Sequence, residues 1–455
     1  MPSTKLCISS SMTGSGKTVF TSALIKALIN AGYSVSAGKI GPDYIDPTYT
    51  RYITNRAVYN YDTWAMTEEK IRYLIHESTQ KNDIHIIEGV MGLFDGTKNQ
   101  SSSTAEFVKK FKIPVLLILD SSGQSQTLAA ICKGIMNYDT EINFIGVILN
   151  NISSERHYNL INEELEESKI KVLGYLPKSD DLIFPRRHLG LFLAEHVENY
   201  QYLINCAANL IEKYIDIEEI IKLSNVVNDG QESKIRESGK ASIDLGQRVS
   251  IAKDPSFSFI YDNTLRQWRK EGREVDFFSP LHDEGPSVNC TGIYLPGGYP
   301  ELNCEKLANC NNFMNSMKSA AKQRKFIYGE CGGYMVLGKS IIDKDNKEHA
   351  MLGLLSLVTS FNKRKLSLGY REVKAKESNC FAKENAYMCH EYHYSSIMKE
   401  SGQHLFESLD KNGAQRKYGL INENVFGSYL HIICLLYTSD AADEGLGVDL
   451  GGRRI

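Results

Sequence analysis

No stretch of about 18 consecutive apolar residues occurs anywhere in the 455-residue chain, so no helix is expected to span a membrane. The amino terminus, MPSTKLCISSSMTGSGKT, also lacks the apolar core of a signal peptide. Charge of one sign is missing too. The 52 Lys and Arg residues stand against 55 Asp and Glu, and the formal net charge of -3 excludes the broad basic field that nucleic acid or an anionic membrane requires. None of the 10 cysteines is spaced Cys-x-x-Cys, which removes zinc-ribbon and thioredoxin-like readings. These absences predict a cytoplasmic protein with reduced and mostly buried, inert cysteines. What is present is ordinary globular composition, 42% hydrophobic and 24% charged, in a chain long enough for two or three domains.

Short apolar runs alternate with helical patterns through the first half. Lys5–Ser9, Val35–Ile40, Ile84–Glu88, Val115–Asp120, Phe144–Leu149 and Lys171–Tyr175 read as strands, and Val19–Ala31 and Glu68–Glu77 as helices. That alternation predicts βαβ units and a mostly parallel sheet, whose ligands sit at the strands' carboxyl ends. Residues 1–225 form the expected first domain. Residues 226–247 are polar and glycine-bearing, which predicts a linker. A second α/β series follows in residues 248–434, with strands at Val249–Ala252, Glu274–Phe278, Gly292–Leu295 and Phe326–Tyr328. From Leu435 to Ile455 apolar periodicity stops. This tail resembles translated sequencing-adapter read-through, which would leave the second domain without its own carboxyl terminus.

The segment Ser11-Met-Thr-Gly-Ser-Gly-Lys-Thr18 lies between a predicted strand and a predicted helix, where a phosphate-binding P-loop belongs. Gly14, Ser15 and Gly16 let backbone amides curl around phosphate oxygens, Lys17 supplies a positive charge, and Thr18 can ligate magnesium. Ser11 stands where the consensus has glycine. Magnesium also needs hard carboxylate oxygens. Asp43 and Asp46 follow the second strand, and Glu88 and Asp95 stand at and after the third; Asp43 and Glu88 are the candidate ligands beside Thr18. An Asp next to Pro or Gly also simply shapes turns, so each acid alone is ambiguous. Asn150 after its strand fits either an adenine contact or a turn.

In Phe326-Ile-Tyr-Gly-Glu-Cys-Gly-Gly-Tyr-Met335 an apolar strand runs into a glycine-flanked cysteine and then a helix. That is the pattern of a nucleophile elbow, in which the turn exposes Cys331 and the helix start favours its thiolate. His431 could be its base or a structural histidine. The turn Leu295-Pro-Gly-Gly-Tyr-Pro-Glu301 fits an oxyanion hole built from amides near Gly297, Gly298 and Gly332, or a plain turn. The two halves make chemical sense together. ATP can turn an inert carboxylate into an acyl phosphate, and a cysteine site that hydrolyses glutamine can release the ammonia that attacks it.

Taken in order, GPDYIDP, EGVMGLFDG, PRRHLGL, FSFIYDNTL, FFSPLHDE, LPGGYPEL, GECGG, HEYHYS (His390–Ser395) and GSYLH resemble the cobyrinate a,c-diamide synthase family, over about residues 5 to 431. The resemblance implies an α/β protein with a dethiobiotin-synthetase-like P-loop domain followed by a type 1 glutamine amidotransferase domain. It implies amidation of the a and c acetate side chains of cobyrinate with ATP, magnesium and glutamine. Cys331 would be the nucleophile and His431 its base. Gly298 and neighbouring amides would hold the oxyanion, and Asp43, Asp46, Glu88 and Asp95 would serve the synthetase site. Tyr44, His390, Glu391 and His393 become candidates for substrate or domain-interface contact. The implied partners are small molecules, a cobyrinate-like corrinoid, L-glutamine and ATP, with self-association as a homodimer left open. Hydrogenobyrinate and Ni-sirohydrochlorin a,c-diamide synthases share these motifs, so the tetrapyrrole stays open. A P-loop regulatory ATPase carrying an inactive amidase-like module is the reading of a different class. The sequence departs from the family at Cys389, where glycine is usual, and at Ile433, where a second histidine is usual.

Overall fold

A strand buried along its whole length, rather than at alternate residues, belongs to a sheet covered on both faces. In the computed structural model, β1 (Thr4–Ser10), β2 (Val35–Ile40), β4 (Ile84–Glu88) and β5 (Val115–Asp120) meet that condition almost throughout. With β3 (Tyr59–Tyr61), β6 (Phe144–Ile152) and β7 (Val172–Pro177) they form one seven-stranded sheet in the order β3-β2-β4-β1-β5-β6-β7, every pair parallel. The structure describes residues 3–97, 101–179, 182, 184–187, 190–225, 241–363, 365–376, 380–381, 385–409 and 415–436. They divide into two compact units, 1–238 and 239–455.

In the first unit the helix Lys17–Asn30 buries Phe20, Leu24 and Leu28 in the same core as Leu6 and Ile8 of β1 and Ile86 of β4. The helix Glu68–Thr79 starts where the Thr67 hydroxyl accepts the Lys70 amide at 3.3 Å, and it buries Ile71, Leu74 and Ile75. The strand order reverses around β1, so the loops after β1, β4 and β2 share one edge of the sheet. β3 escapes detection in the sequence because three residues carry no periodicity.

The second unit carries a six-stranded sheet in the order Glu274–Phe278, Arg248–Ala252, Gly292–Leu295, Phe326–Glu330, Val425–Ser428 and Leu420–Asn422. The first five strands are parallel and the last is antiparallel. A five-stranded antiparallel sheet, in the order Gln415–Tyr418, Phe406–Leu409, Ser367–Ala375, Ala386–His393 and Leu430–Leu436, and a smaller mixed sheet complete it. These later strands are not expected from the sequence. Ser367–Ala375 shows why: most of it is partly exposed and rich in Gly, Arg, Glu and Lys, so no clean apolar alternation marks it.

The stretch expected as a linker, 226–247, falls into two parts. Residues 226–240 lie outside the described residues, while 241–247 pack onto the second unit. Ile243 and Leu245 are buried there, and the Trp268 indole nitrogen donates to the Ile243 carbonyl at 3.1 Å. Of the tail expected to be foreign, Leu435 and Leu436 continue the strand Leu430–Leu436 opposite Tyr387 and Ala386, and 437–455 lie outside the described residues.

Trp268 is fully buried among Ile251, Tyr294 and Leu245. Trp268→Ala is expected to destabilise the second unit by about 3–5 kcal/mol, through lost burial and the orphaned Ile243 carbonyl. Denaturant unfolding followed by circular dichroism and tyrosine fluorescence checks it; an unchanged midpoint would show that the 241–247 segment is not tied down by this side chain.

Candidate functional site

The phosphate loop leaves β1 at Ser10 and enters the helix at Lys17. Gly14 and Gly16 have φ values of 87° and 91°, a left-handed conformation that glycine adopts without strain. A side chain at Gly16 would also meet the Asn150 amide, since its Cβ would sit 2.4 Å from Nδ2. Asn150 lies at the end of β6 and donates to the Ser15 carbonyl at 2.8 Å. Its amide therefore braces the phosphate loop. Ser15 is buried and donates to the Met12 carbonyl at 2.9 Å. Met12, Thr13 and Gly14 stay exposed at the loop's crest.

Lys17 is buried and donates to the Ser10 hydroxyl at 2.9 Å and to the Met91 carbonyl. Burial, reinforced by the nearby Lys39 charge, lowers its pKa to about 8. Thr18 donates to Glu88 Oε1 at 2.7 Å. Around these groups the ends of β2 and β4 bring a cluster the sequence reading only half anticipates. Lys39, in the apolar run of β2, places its ammonium 2.6 Å from Asp46, 3.0 Å from Glu88 and 3.9 Å from Asp43. It also donates to the Gly89 carbonyl at 3.1 Å. Burial opposes the charge on Lys39, but Asp46 and Glu88 outweigh it and hold the group protonated. Burial pushes Asp46 up, yet Lys39 draws it down to about 2. Glu88 goes the other way: burial wins over Lys39 and raises it to about 7.

Asp43 turns one oxygen to the Ile45 and Asp46 amides at 2.7 and 3.3 Å. Asp95 stands apart from the Lys39 cluster. It is exposed and accepts the Gly92 amide at 2.9 Å, so it shapes the turn after β4 and reaches Lys17 only through its charge. Tyr44 is half-buried in the loop between β2 and the helix Asp46–Thr54. Among the described residues no set of three or more His, Cys, Asp or Glu side chains forms a complete metal cage. Thr18 and Glu88 nonetheless fit magnesium: they are hard oxygen donors beside the phosphate loop, and Glu88 Oε2 is buried with no hydrogen-bond partner. Magnesium needs only one or two protein ligands there, the rest coming from phosphate and water.

In the second unit three adjacent parallel strands end together. Gly292–Leu295 leads to Gly297, Phe326–Glu330 to Cys331, and Val425–Ser428 to His431. The Cys331 amide donates to the Ser428 carbonyl at 2.8 Å, which ties the elbow to the neighbouring strand end. Cys331 has φ 48° and ψ -103°, the strained backbone of a nucleophile elbow, and the helix Gly332–Leu337 begins at once. Glycine is required at both positions that follow the cysteine. A Cβ at Gly333 would sit 1.9 Å from the Leu295 carbonyl oxygen, and one at Gly332 would crowd the Gly298 amide at 3.0 Å. A Cβ at Gly297 would lie 2.6 Å from His431 Cε1 and 3.4 Å from Cys331 Cβ, so the cysteine, the imidazole and the glycine turn converge on one point.

The thiolate expected at the helix start is not what the surroundings favour. Burial raises the Cys331 pKa, and the carboxylates of Glu301, Glu330 and Glu391 push the same way. The resting group is a thiol. His431 is buried and held neutral by burial and by His390 and His393. His390 stacks on it, ring centroids 4.8 Å apart at 10°, and is itself held neutral by burial, its pKa lowered to about 3. His393 stacks on Tyr429 and meets Glu391 at 3.0 Å, while Glu391 also pairs with Arg371 at 2.8 Å. His390 and His393 thus pack inside the second unit close to His431, with His390 directly against its imidazole. Glu330, overlooked although it lies inside the quoted elbow, places Oε2 3.8 Å from His431 Nδ1. For Lys39 and Glu330 the available signal is a charged residue inside a strand that is otherwise buried throughout.

Residues 6–191 match the CobQ/CobB/MinD/ParA nucleotide-binding domain, and residues 248–437 match the CobB/CobQ-like glutamine amidotransferase domain. Among curated proteins, the chain is 37% identical over 430 residues to hydrogenobyrinate a,c-diamide synthase of Rhizobium meliloti, covering 94% of this chain and 98% of that protein. It is 38% identical over 429 residues to the enzyme of the same name from Brucella anthropi, covering 94% and 97%, and 37% identical over 435 residues to that of Rhodobacter capsulatus, covering 94% and 98%. No helix among the described residues is long and apolar enough to cross a membrane. A nucleotide-binding parallel sheet and a glutamine amidotransferase fold, joined in this order over nearly the full length of these relatives, mean that the chain belongs to the cobyrinate/hydrogenobyrinate a,c-diamide synthase family of glutamine-dependent amidating ligases.

Proposed function

We propose that this protein amidates the a- and c-carboxylates of a cobyrinate-type ring, cobyrinate or its hydrogenobyrinate counterpart, using ATP and glutamine. The observation that carries the reading is the convergence of Cys331 and His431 across Gly297 in a chain that also holds the Lys17 phosphate loop. The names of the curated relatives favour hydrogenobyrinate as the ring to test first. A cytoplasmic setting agrees with ten cysteines that are all free.

In the first unit Lys17 and the loop amides hold the nucleotide phosphates. Thr18 and Glu88, with Asp43 beside them, would hold a magnesium ion, which supplies charge neutralisation for phosphoryl transfer. Lys39 keeps Asp46 and Glu88 apart in charge and fixed in place, and Tyr44 stands at the same edge as a substrate contact. The terminal phosphoryl group passes to a ring carboxylate, ADP leaves, and ammonia then displaces phosphate to give the amide. In the second unit the Cys331 sulfur attacks the glutamine amide carbon as its proton moves to His431. The carbonyl oxygen becomes an oxyanion near the Gly297, Gly298 and Gly332 turns. The carbon–nitrogen bond breaks, His431 returns the proton to the leaving ammonia, and water hydrolyses the thioester to glutamate.

A mass-detected assay with each ring, ATP and glutamine is expected to show one and then two carboxylates converted to amides. Glutamine hydrolysis with no amidated ring would overturn the substrate assignment. Cys331→Ala is expected to cut glutamine-dependent amidation by at least about 1,000-fold while ammonium salts still support it; equal loss with both nitrogen sources would count against a dedicated glutaminase centre. Lys39→Met leaves buried carboxylates without their cation, so it should cost the first unit about 3–5 kcal/mol and lower ATP-dependent turnover, with glutaminase activity intact. Thermal unfolding and ADP release measure the two effects, and unchanged values for both would remove Lys39 from the site.

A further inference from the structure

We propose that Glu330, the residue immediately before the nucleophile, is the positioning residue of the glutaminase centre, orienting His431 through Nδ1 and stabilising the imidazolium that forms when the Cys331 proton is transferred. The inference rests on the Cys331–His431 reading above. An imidazole that accepts a thiol proton becomes a buried cation, and a buried cation without a counter-charge is costly. The chain position two residues beyond His431, where the resembling family carries a second polar ring, is the buried and apolar Ile433. That position therefore supplies no counter-charge, and Glu391 of the same sheet is engaged by His393 and Arg371. Among the described residues, the carboxylate within ion-pair distance of the ring comes from the strand Phe326–Glu330. Glu330 Oε2 lies 3.8 Å from His431 Nδ1, both side chains being 2% exposed.

The rest of the surroundings hold Glu330 for that task. Tyr294, from the neighbouring parallel strand, donates its hydroxyl to Oε2 at 2.7 Å. The Ile432 amide, one residue past the histidine, donates to Oε1 at 3.3 Å. The carboxylate is thus clamped between the strand that ends at Gly297 and the strand that carries His431. The other titratable groups facing it are Tyr328 on its own strand, Cys331 beside it and Cys389 from Ala386–His393, and none of them is a cation at neutral pH. On the far side of His431 stand His390, held neutral, and His393. With Nδ1 turned to Glu330, Nε2 is the nitrogen left for the thiol proton. The stack on His390 sets the plane of the ring, and Glu330, at 3.8 Å, closes on Nδ1 once the ring is charged.

Burial raises the Glu330 pKa to about 7, against the hydrogen bonds from Tyr294 and Ile432 that lower it. The sign follows: the carboxylate is charged above that pH and neutral below it. Glutaminase kcat/KM should therefore climb as pH rises through about 7. Glu330→Gln keeps the shape and stays hydrogen-bonded, its single oxygen accepting the Ile432 amide and its NH2 donating to the Tyr294 hydroxyl oxygen, but it has no charge. It is expected to lower kcat by about 100-fold with little change in KM for glutamine, and to abolish the acid limb of the pH profile. Glu330→Asp, which keeps the charge, should restore part of the rate and the limb. Tyr294→Phe removes a bond that favours the ionised form, so its acid limb should move to higher pH. A Glu330→Gln enzyme with wild-type kcat and an unchanged profile would overturn the inference, as would a limb that stays in place in Tyr294→Phe if the glutamine variant does not fold. Cys331→Ser, measured in parallel, separates the two levels: hydrolysis lost with Cys331→Ser but retained in Glu330→Gln rejects this inference alone, and hydrolysis that survives Cys331→Ser rejects the glutaminase reading itself.

Discussion

Parallel strands deliver all of their carboxyl ends to one edge of a sheet, and every reactive group in this protein stands within a few residues of such an end. In the first unit the phosphate loop leaves β1, Glu88 closes β4, Lys39 nearly closes β2 and Asn150 follows closely on β6. In the second, Gly297, Cys331 and His431 follow three neighbouring strands. The hydrogen-bonded ladder fixes the spacing between those ends, so no long loop has to find its conformation for the groups to meet. Glycine then sets how close they come. A Cβ at 16, 297 or 333 would occupy space already held by Asn150, His431 or the Leu295 carbonyl. The close approach of backbone to side chain, more than any single polar contact, gives both centres their geometry.

Burying charge is the second constraint, and the two units meet it differently. The first places one buried ammonium, Lys39, among three carboxylates; the excess negative charge suits a site that receives a magnesium ion and a nearby Lys17. The opposed shifts of Asp46 and Glu88 follow from this arrangement. The shorter contact with Lys39 keeps Asp46 ionised, while the more deeply buried Glu88 is left ready to ionise when a cation arrives. Among the described residues the second unit holds no comparable cation beside its nucleophile, and burial keeps both its cysteine and its histidine neutral.

Much of this was legible in the sequence because the chemistry is carried by residues adjacent in the chain. The strand–loop–helix run at Ser11–Thr18 and the GECGG elbow announce themselves, since glycine at fixed offsets from a reactive side chain has few other uses. Strands buried on both faces were legible for the same reason: continuous apolar runs stand out. The antiparallel strands of the second unit, such as Ser367–Ala375 and Ala386–His393, were not, because half-exposed strands spread their apolar residues thinly. Pairings distant in the chain were hidden as well. Nothing local indicates that Asn150 grips Ser15, that His390 lies flat against His431, or that Asp95 turns away to hold Gly92. Asp95 and Glu88 share one motif, and only the direction of the turn after β4 decides which of them enters the cluster.

A cysteine kept as a thiol in the resting state changes what its neighbours have to do. A preformed thiolate needs a cation beside it; a thiol needs a base that is neutral before attack and stabilised once charged. His431 meets the first requirement through burial and the stacked, neutral His390. It meets the second only if a carboxylate is within reach at the moment the proton arrives, and the carboxylate cannot come from the apolar strand continuing past Ile433. A chain that places an acid directly before its nucleophile, at the end of a strand beside the one that leads to the base, supplies that counter-charge from the same elbow that presents the sulfur. The arrangement also keeps the site inert until glutamine enters, because neither the thiol nor the imidazole is charged while nothing draws the proton across.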